Sequence, residues 1–285
     1  MHTKNILITG HQGFIGSCLL KSIYNEWSIV PYPTKVYTSD YDNQYKLPDL
    51  SEMDIVIHMG AISSTNSTDR EEIFDKNVMS TINIIEKAKN AKIIYASSAS
   101  TYGSINERRS EDDPLRPQSL YAMSKAIIDD VVLNYFPHRK IVGLRFFNVC
   151  SFNFEGHKKQ PSPTFSFLKQ LRETGQVKLF FGSKDIFRDF IYIEDVIDIV
   201  QYFILKEINH SIVVNVGSGK PVSFEQIADK MIDSLGFGEK VYIERPVDIL
   251  KSYQTYTEAS LDYLRGLGYT HNIPSILDYI EDRIS

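Results

Sequence analysis

Apolar residues recur along this chain at two alternating periods. Short runs at Asn5–Thr9 (NILIT), Asp54–Met59 (DIVIHM), Lys92–Ser97 (KIIYAS) and Ile141–Val149 (IVGLRFFNV) have the length and β-branched content of buried strands. Between them, Gly16–Tyr24, Ile73–Lys89 and Leu120–Tyr135 carry apolar residues every three or four positions, as a helix with one buried face does. A further strand is expected at Lys35–Ser39. Strand and helix alternating at this spacing predict an α/β, doubly wound parallel sheet covered by helices on both faces.

The second half is less regular. Phe152–Pro163 is polar and interrupted by proline, so it reads as a loop, and Pro163–Thr174 reads as a helix. Phe187–Ile193 and Ser211–Val216 read as strands, the latter running into Gly217-Ser218-Gly219. Ser223 and Gln226 have the spacing of a capping box, opening a helix through Leu235. There is no internal repeat and no Pro- or Gly-rich linker, so the second half is expected to pack onto the first. The expected organisation is a dinucleotide-binding domain over 1–150 with a return segment near 186–220. A smaller α+β substrate lobe is expected over 151–185 and 221–285.

Composition narrows the class. The 285 residues are 42% hydrophobic and 24% charged, which is the balance of a globular chain. With 31 Lys and Arg against 36 Asp and Glu, the net charge is −5, which argues against a nucleic-acid binder. No apolar run approaches the roughly 20 residues of a membrane span. The first residues are too short in their apolar part for a signal peptide, so a cytoplasmic protein is expected. Two cysteines, Cys18 and Cys150, make neither a disulfide framework nor a zinc site, and no metal is expected.

Between the first strand and first helix lies Gly10-His11-Gln12-Gly13-Phe14-Ile15-Gly16, a G-x-x-G-x-x-G loop. Glycines there allow a sharp turn and close backbone approach to a pyrophosphate, whose charge suits the helix N-terminus. The acidic residue expected about 20 positions later, to bind the adenosine ribose, is missing from Ser28–Lys35, which reads SIVPYPTK. That tilts the cofactor toward NADP over NAD. The stretch also looks shortened, with a helix missing. Asp40 is either an adenosine contact or a solvated turn residue.

Ser97-Ser98 closes the KIIYAS strand, and Tyr121 and Lys125 stand one turn apart on the helix that follows. A phenol has an ordinary pKa near 10, and a cation one turn away should lower it. The lysine can also hold a nicotinamide ribose, and Ser98 can bond the reacting oxygen. Such a set removes a proton from an alcohol while hydride leaves for a nicotinamide ring.

With these residues in view, the chain resembles the extended short-chain dehydrogenase/reductases of the epimerase/dehydratase group, over essentially its whole length. The likeness rests on the glycine loop, Gly60-Ala61, Asn77, the Ser-Ser motif, the Tyr-x-x-x-Lys pair and Arg145-Phe146-Phe147-Asn148-Val149. It extends to Arg188-Asp189-Phe190-Ile191-Tyr192 and Asn215-Val216-Gly217-Ser218-Gly219. The resemblance implies a Rossmann fold. It also implies a cofactor site at Gly10, Gly13, Phe14, Ile15, Gly16, Asp40, Met59, Gly60, Ala61, Ser63, Asn77, Lys125 and Val149.

Several stretches are similar to one branch, the ADP-L-glycero-D-manno-heptose 6-epimerases. They are Gly60–Thr65 (GAISST), Tyr95–Gly103 (YASSASTYG), Glu155-Gly156-His157-Lys158, Lys178–Ser183 (KLFFGS) and Leu250–Thr257 (LKSYQTYT). In that branch bound NADP oxidises C6 of a heptose to a ketone, and the ketone takes the hydride back on its other face. The resemblance gives Tyr121 and Lys158 the acid/base roles on the two faces and Ser98 the oxygen. Lys158 read alone is equally a phosphate contact or a solvated loop lysine. The resemblance further implies substrate contacts from Asn148, His157, Phe180, Phe181, Gly182, Ser183, Arg188 and Tyr253. Arg188 suits a nucleotide diphosphate, because its planar fork matches phosphate oxygens. Read alone, it is a salt-bridge partner of Asp189 or Asp185, and Tyr253 is a packing residue.

The chain departs from that branch at Cys150-Ser151-Phe152, where Tyr-Gly-Pro is usual, and at Lys159-Gln160, where Gly-Ser is usual. A 4,6-dehydratase would carry Asp-Glu after the catalytic hydroxyl residue, whereas Ala99-Ser100 stand here. A 4-epimerase, a 4-reductase and a non-catalytic nucleotide-sugar binder stay open. The expected partners are a nucleotide-diphosphate sugar and, by family habit, a second copy of the chain.

Overall fold

The computed structural model describes residues 3–26, 34–39, 47–64, 67–104, 106–153, 161–245 and 254–284. Six strands form one parallel sheet, in the order Ile212–Val216, Ile141–Phe146, Lys92–Ser98, Ile55–His58, Lys4–Thr9, Thr34–Ser39. The chain leaves Lys4–Thr9 for the edge strand and then crosses to Ile55–His58 on the other side. A crevice therefore opens at the carboxyl ends of these strands, where a sheet of this type takes its ligand.

The apolar runs are continuous because both faces are covered. Alternate side chains serve opposite cores. Leu7, Val56, Ile93 and Ile141 pack with Val78, Ile84, Ile85, Ile128 and Val132 on one face. Ile6, Ile8, Ile57, Ile94 and Val142 pack with Leu19, Val196, Val200 and Phe203 on the other. Helix Phe14–Glu26 is longer at both ends than its apolar pattern, and Leu120–Tyr135 and Pro163–Thr174 run as expected. The pattern at 73–89 belongs to a helix that starts at Arg70, capped by Asp69, and ends at Lys87. Its middle, Phe74–Met79, is a π-helical segment.

Two expected strands are divided. Ile141–Val149 breaks at Phe147, and Asn148–Cys150 pairs instead with Phe190–Tyr192. Phe187–Ile193 breaks at Asp189, and Ile193 already belongs to the helix Ile193–Leu205, which the apolar pattern did not separate. Two parallel pairs were also unforeseen: Gln176–Phe180 with Glu239–Ile243, and Arg108–Arg109 with Glu258–Ala259. The capping box of Ser223 and Gln226 opens helix Phe224–Leu235. The second half shares the first half's larger core, which runs from Ile6 through Leu168, Ile227 and Met231 to Ile280 and Ile284.

The strand Thr34–Ser39 corrects one premise. It pairs residue for residue with Lys4–Thr9, so Thr34 and Lys35 open it at the end away from Gly10. Ser28–Lys35 thus precedes or begins the strand. The position after its carboxyl end is Asp40 in the sequence; Asp40 itself lies outside the described residues.

Candidate dinucleotide and sugar site

The glycine loop sits at the crevice between the first and third strands. Gly10 has φ +70, and a Cβ there would stand 2.4 Å from the Gly60 nitrogen. A Cβ on Gly16 would stand 2.2 Å from the Gly10 carbonyl oxygen. Gly10 and Gly16 are therefore required by the turn itself. Gly13 differs: it is exposed, and a Cβ would meet only the Gly10 oxygen, at 3.2 Å. That leaves open space over the loop, beside the N-terminus of the helix that carries Phe14 and Ile15. This cradle fits a pyrophosphate. Met59 closes it from the third strand, with its N–H donating to the Thr9 oxygen at 3.1 Å. Gly60 is buried there, Ala61 is half-buried and Ser63 is exposed.

Asn77 ties this rim to the helix Leu120–Tyr135. Its Oδ1 accepts from the Ile62 N–H at 2.8 Å, and its Nδ2 donates to the Ile62 oxygen and to Ser124 Oγ at 3.1 and 3.0 Å. Beneath it, Thr9 Oγ1 is 2.6 Å from His58 Nδ1, and His58 Nε2 is 3.0 Å from Thr81 Oγ1. Thr81 Oγ1 donates to the Asn77 oxygen, which assigns the proton to His58 Nε2. Burial, and then the Lys125 charge, push His58 down to about 3, so it is neutral. His58 lies in the DIVIHM run, whose apolar pattern gives no sign of the link to Thr9 and Thr81.

Ser98, Tyr121 and Lys125 come together at the end of Lys92–Ser98. Ser98 acts on the Tyr121 phenol in the direction that favours its ionised form. Ser98 Oγ is 2.9 Å from Ser100 Oγ. Lys125 is buried, and its Nζ donates to the Ala96 oxygen at 2.7 Å. Burial pushes Lys125 down to about 8, with the Asp129 charge acting against it. Tyr121 departs from expectation. Burial raises its pKa, the neighbouring Ser98 hydroxyl only partly offsets this, and the Asp129 charge raises it further. Loss of solvent around the phenol outweighs the cation one turn away, because Lys125 Nζ sits 5.9 Å from the ring centre and bonds elsewhere.

A second group forms where Asn148–Cys150 pairs with Phe190–Tyr192. Asn148 Nδ2 donates to the Asp189 oxygen at 3.0 Å and to Thr257 Oγ1 at 3.2 Å. Val149 is half-buried beside it. Arg188 does not pair with Asp189 or Asp185 in the bonds observed. It donates to the backbone oxygens of Phe187 and Gln254, and Gln254 in turn donates to the Gly103 oxygen beyond Ser98. The Asp189 carboxylate is instead saturated by Ser218, Gly219 and Ala259. Phe180–Ser183 is more remote: Ser183 Oγ contacts Glu225, and the exposed Phe181 stacks on Tyr242 beside the Gly182 turn. His157, Lys158 and Tyr253 lie outside the described residues.

A dinucleotide cradle at the carboxyl ends of the strands, with a Ser–Tyr–Lys cluster at the end of the neighbouring strand, suits transfer of hydride and proton at an alcohol carbon. Residues 6–217 match the model of the NAD dependent epimerase/dehydratase family, and the chain belongs to that family of NAD-dependent enzymes acting on nucleotide sugars. Among solved structures it is similar to the Helicobacter pylori ADP-L-glycero-D-manno-heptose-6-epimerase. That likeness has 26% identity and a TM-score of 0.82, covering 98% of this chain and 94% of the other. The UDP-N-acetylglucosamine 4-epimerase of Methanobrevibacter ruminantium shares the fold at 20% identity and TM-score 0.81, covering 100% and 98%. MoeE5, solved with UDP-glucuronic acid and NAD, does so at 22% and 0.80, covering 98% and 97%. Among the described residues, no helix is long and apolar enough to cross a membrane.

Proposed function

We propose that this protein is an isomerase, an ADP-glycero-manno-heptose 6-epimerase that works in the cytoplasm. The observation that carries the epimerase reading is the Ser98–Tyr121–Lys125 cluster beside the glycine cradle, with Ala99-Ser100 where a dehydratase would need an acid/base pair. The heptose reading is supported by the Glu155–Lys158 and Lys178–Ser183 motifs and by the 26% identity to a heptose epimerase.

The dinucleotide, when bound, supplies a hydride acceptor that gives the same hydride back. The chain's residues do the rest. Gly13 and the helix behind it hold the pyrophosphate, and Lys125 holds the ribose. Ser98 donates to the sugar oxygen while Tyr121 takes its proton. The C–H bond at C6 is lost as hydride and a ketone remains. After the ketone turns over in the pocket, hydride returns to its opposite face and Lys158 supplies the proton. One hydride and one proton leave and return, so the reaction is redox-neutral. Asn148, His157, Arg188, Tyr253 and Phe180–Ser183 hold the nucleotide and sugar, the substrate lobe being 151–185 and 221–285.

We read the cofactor as NAD. Ser28–Lys35 precedes or begins the second strand, so its lack of a carboxylate does not favour NADP. At its carboxyl end the next residue in sequence is Asp40, and a carboxylate there accepts from ribose hydroxyls and repels a 2′-phosphate. Phe74, Met79, Met123 and Ile127 leave apolar surface exposed on two neighbouring helices, which supports association of two copies.

The test is proton NMR of ADP-D-glycero-D-manno-heptose incubated with the purified protein, first with no added cofactor. Appearance of the C6 diastereomer is expected. No change after adding NAD and then NADP would refute the substrate, and UDP-sugars tried next would test the 4-epimerase alternative.

A further inference from the structure

The helix Leu120–Tyr135 carries a third ionisable residue on the face of Tyr121 and Lys125. Asp129 lies one turn beyond Lys125 and is fully buried. Its carboxylate accepts from Tyr95 Oη at 2.8 Å, Ser97 Oγ at 2.9 Å and Arg145 Nε at 2.8 Å. Arg145 comes from the next strand and is itself held, its Nη1 donating to Tyr102 Oη at 2.9 Å and to the Glu111 oxygen at 3.1 Å. Tyr102 then donates to Asn215 Oδ1 at 2.7 Å. A fold gains little stability from a buried ion pair over an apolar one of equal size. The placement of this pair is what stands out. Ser97 adjoins Ser98, and Lys125 Nζ bonds Ala96, so residues 96–98 are stitched to the helix at two successive positions.

We propose that Asp129 is a positioning residue of the reaction centre, fixing the Ser97–Ser98 strand end against the helix and supplying the negative charge that faces the Lys125 ammonium. The inference rests on Ser98, Tyr121 and Lys125 being the reacting groups. The groups around the ammonium agree with it. His58 is neutral, and Arg145 is engaged with the Asp129 carboxylate. The Asp129 charge favours protonated Lys125 against the cost of burial. It also disfavours the Tyr121 phenolate, which lies a turn farther along the helix.

Asp129→Asn removes the charge and keeps the size, since the Tyr95 hydroxyl can turn to accept from the new amide. Lys125 Nζ is titrated by NMR in wild type and variant without substrate, its signal assigned with Lys125→Met. The expected midpoint falls by about one pH unit in the variant. In kinetics the active form has charged Lys125 and ionised Tyr121. Because Tyr121 also loses the opposing charge, the acid limb of kcat/KM should move down by the same unit while the plateau falls by less than tenfold, the variant lying at or above wild type at low pH. Ser97→Ala keeps the charge: the Lys125 midpoint should not move, while kcat falls about fivefold at unchanged KM. A folded Asp129→Asn protein with an unmoved Lys125 midpoint overturns the proposal. Should that variant not fold, Ser97→Ala decides, and an unchanged kcat overturns it. If wild type turns over no sugar, the epimerase reading fails, while the substrate-free titration still decides whether Asp129 governs Lys125.

Discussion

Gly10 and Gly13 are the same residue type under different constraints, and substitution should separate them. A Cβ at Gly10 meets the Gly60 backbone at 2.4 Å in a left-handed conformation, so Gly10→Ala must push the first and third strands apart. A Cβ at Gly13 meets little protein and stands where a pyrophosphate would lie. Gly10→Ala is expected to lower both the urea midpoint and NAD affinity. Gly13→Ala should leave the midpoint within about 0.5 kcal/mol and weaken NAD binding at least tenfold, measured by fluorescence titration. Lys125 carries a sign as well as a size. Its ammonium ordinarily titrates at 10.5 and here at about 8, so the folded state binds this proton less well than the unfolded state does. The penalty is full below pH 8, shrinks as pH rises, and is gone above 10.5. At 1.36 kcal/mol per pH unit it is about 3 kcal/mol, less about 1 for the bond to Ala96. Lys125→Met should therefore abolish turnover yet stabilise the protein by about 2 kcal/mol at pH 7. Urea denaturation at pH 7 and pH 10 checks this, and the advantage should disappear at the higher pH. The Ser–Tyr–Lys cluster was legible because two of its members share one helix face. The raised Tyr121 pKa was not, because it depends on how completely the fold removes water from the phenol.

At the scale of elements, what sequence showed and what it hid have different physical ranges. The capping box at Ser223 and Gln226 is a four-residue device, and it stands where its spacing put it. The break at Asp189 depends on Ser218, Gly219 and Ala259, far along the chain, so no local pattern marks it. The π segment Phe74–Met79 was hidden for another reason. One inserted residue barely alters a helical period, yet it aims Asn77 inward at Ile62 and Ser124. Asn77→Ala leaves the Ile62 N–H and C=O without these partners and frees the rim from the helix. The expected cost is about 2–4 kcal/mol in urea, with a larger loss in NAD affinity than in far-UV signal. Equal NAD affinity in variant and wild type would show that the rim holds its shape without Asn77.

For the molecule as a whole, the question is whether the two halves unfold together. The alternating pattern foretold a sheet buried on both faces, and the absence of a linker foretold close packing. Neither could foretell that one core would run from Ile6 to Ile284. The C-terminal helix Ile276–Ile284 buries Ile276, Ile280 and Ile284. Helix Phe224–Leu235 lies against it and contributes Ile227, Ala228 and Met231 to the same cluster that covers the sheet. Truncating Ile280 therefore removes packing that is continuous with the dinucleotide side of the sheet, at a cost of about 2–4 kcal/mol. If the halves form one cooperative unit, Ile280→Ala lowers the urea midpoint equally whether unfolding is followed by far-UV circular dichroism or by loss of bound NAD. If the sheet domain is independent, the circular dichroism curve splits and the NAD-reported midpoint stays at the wild-type value. The shared core favours the first result, because the described residues from Ile6 to Ile284 join the sheet and the helices that would have to leave it in one apolar cluster.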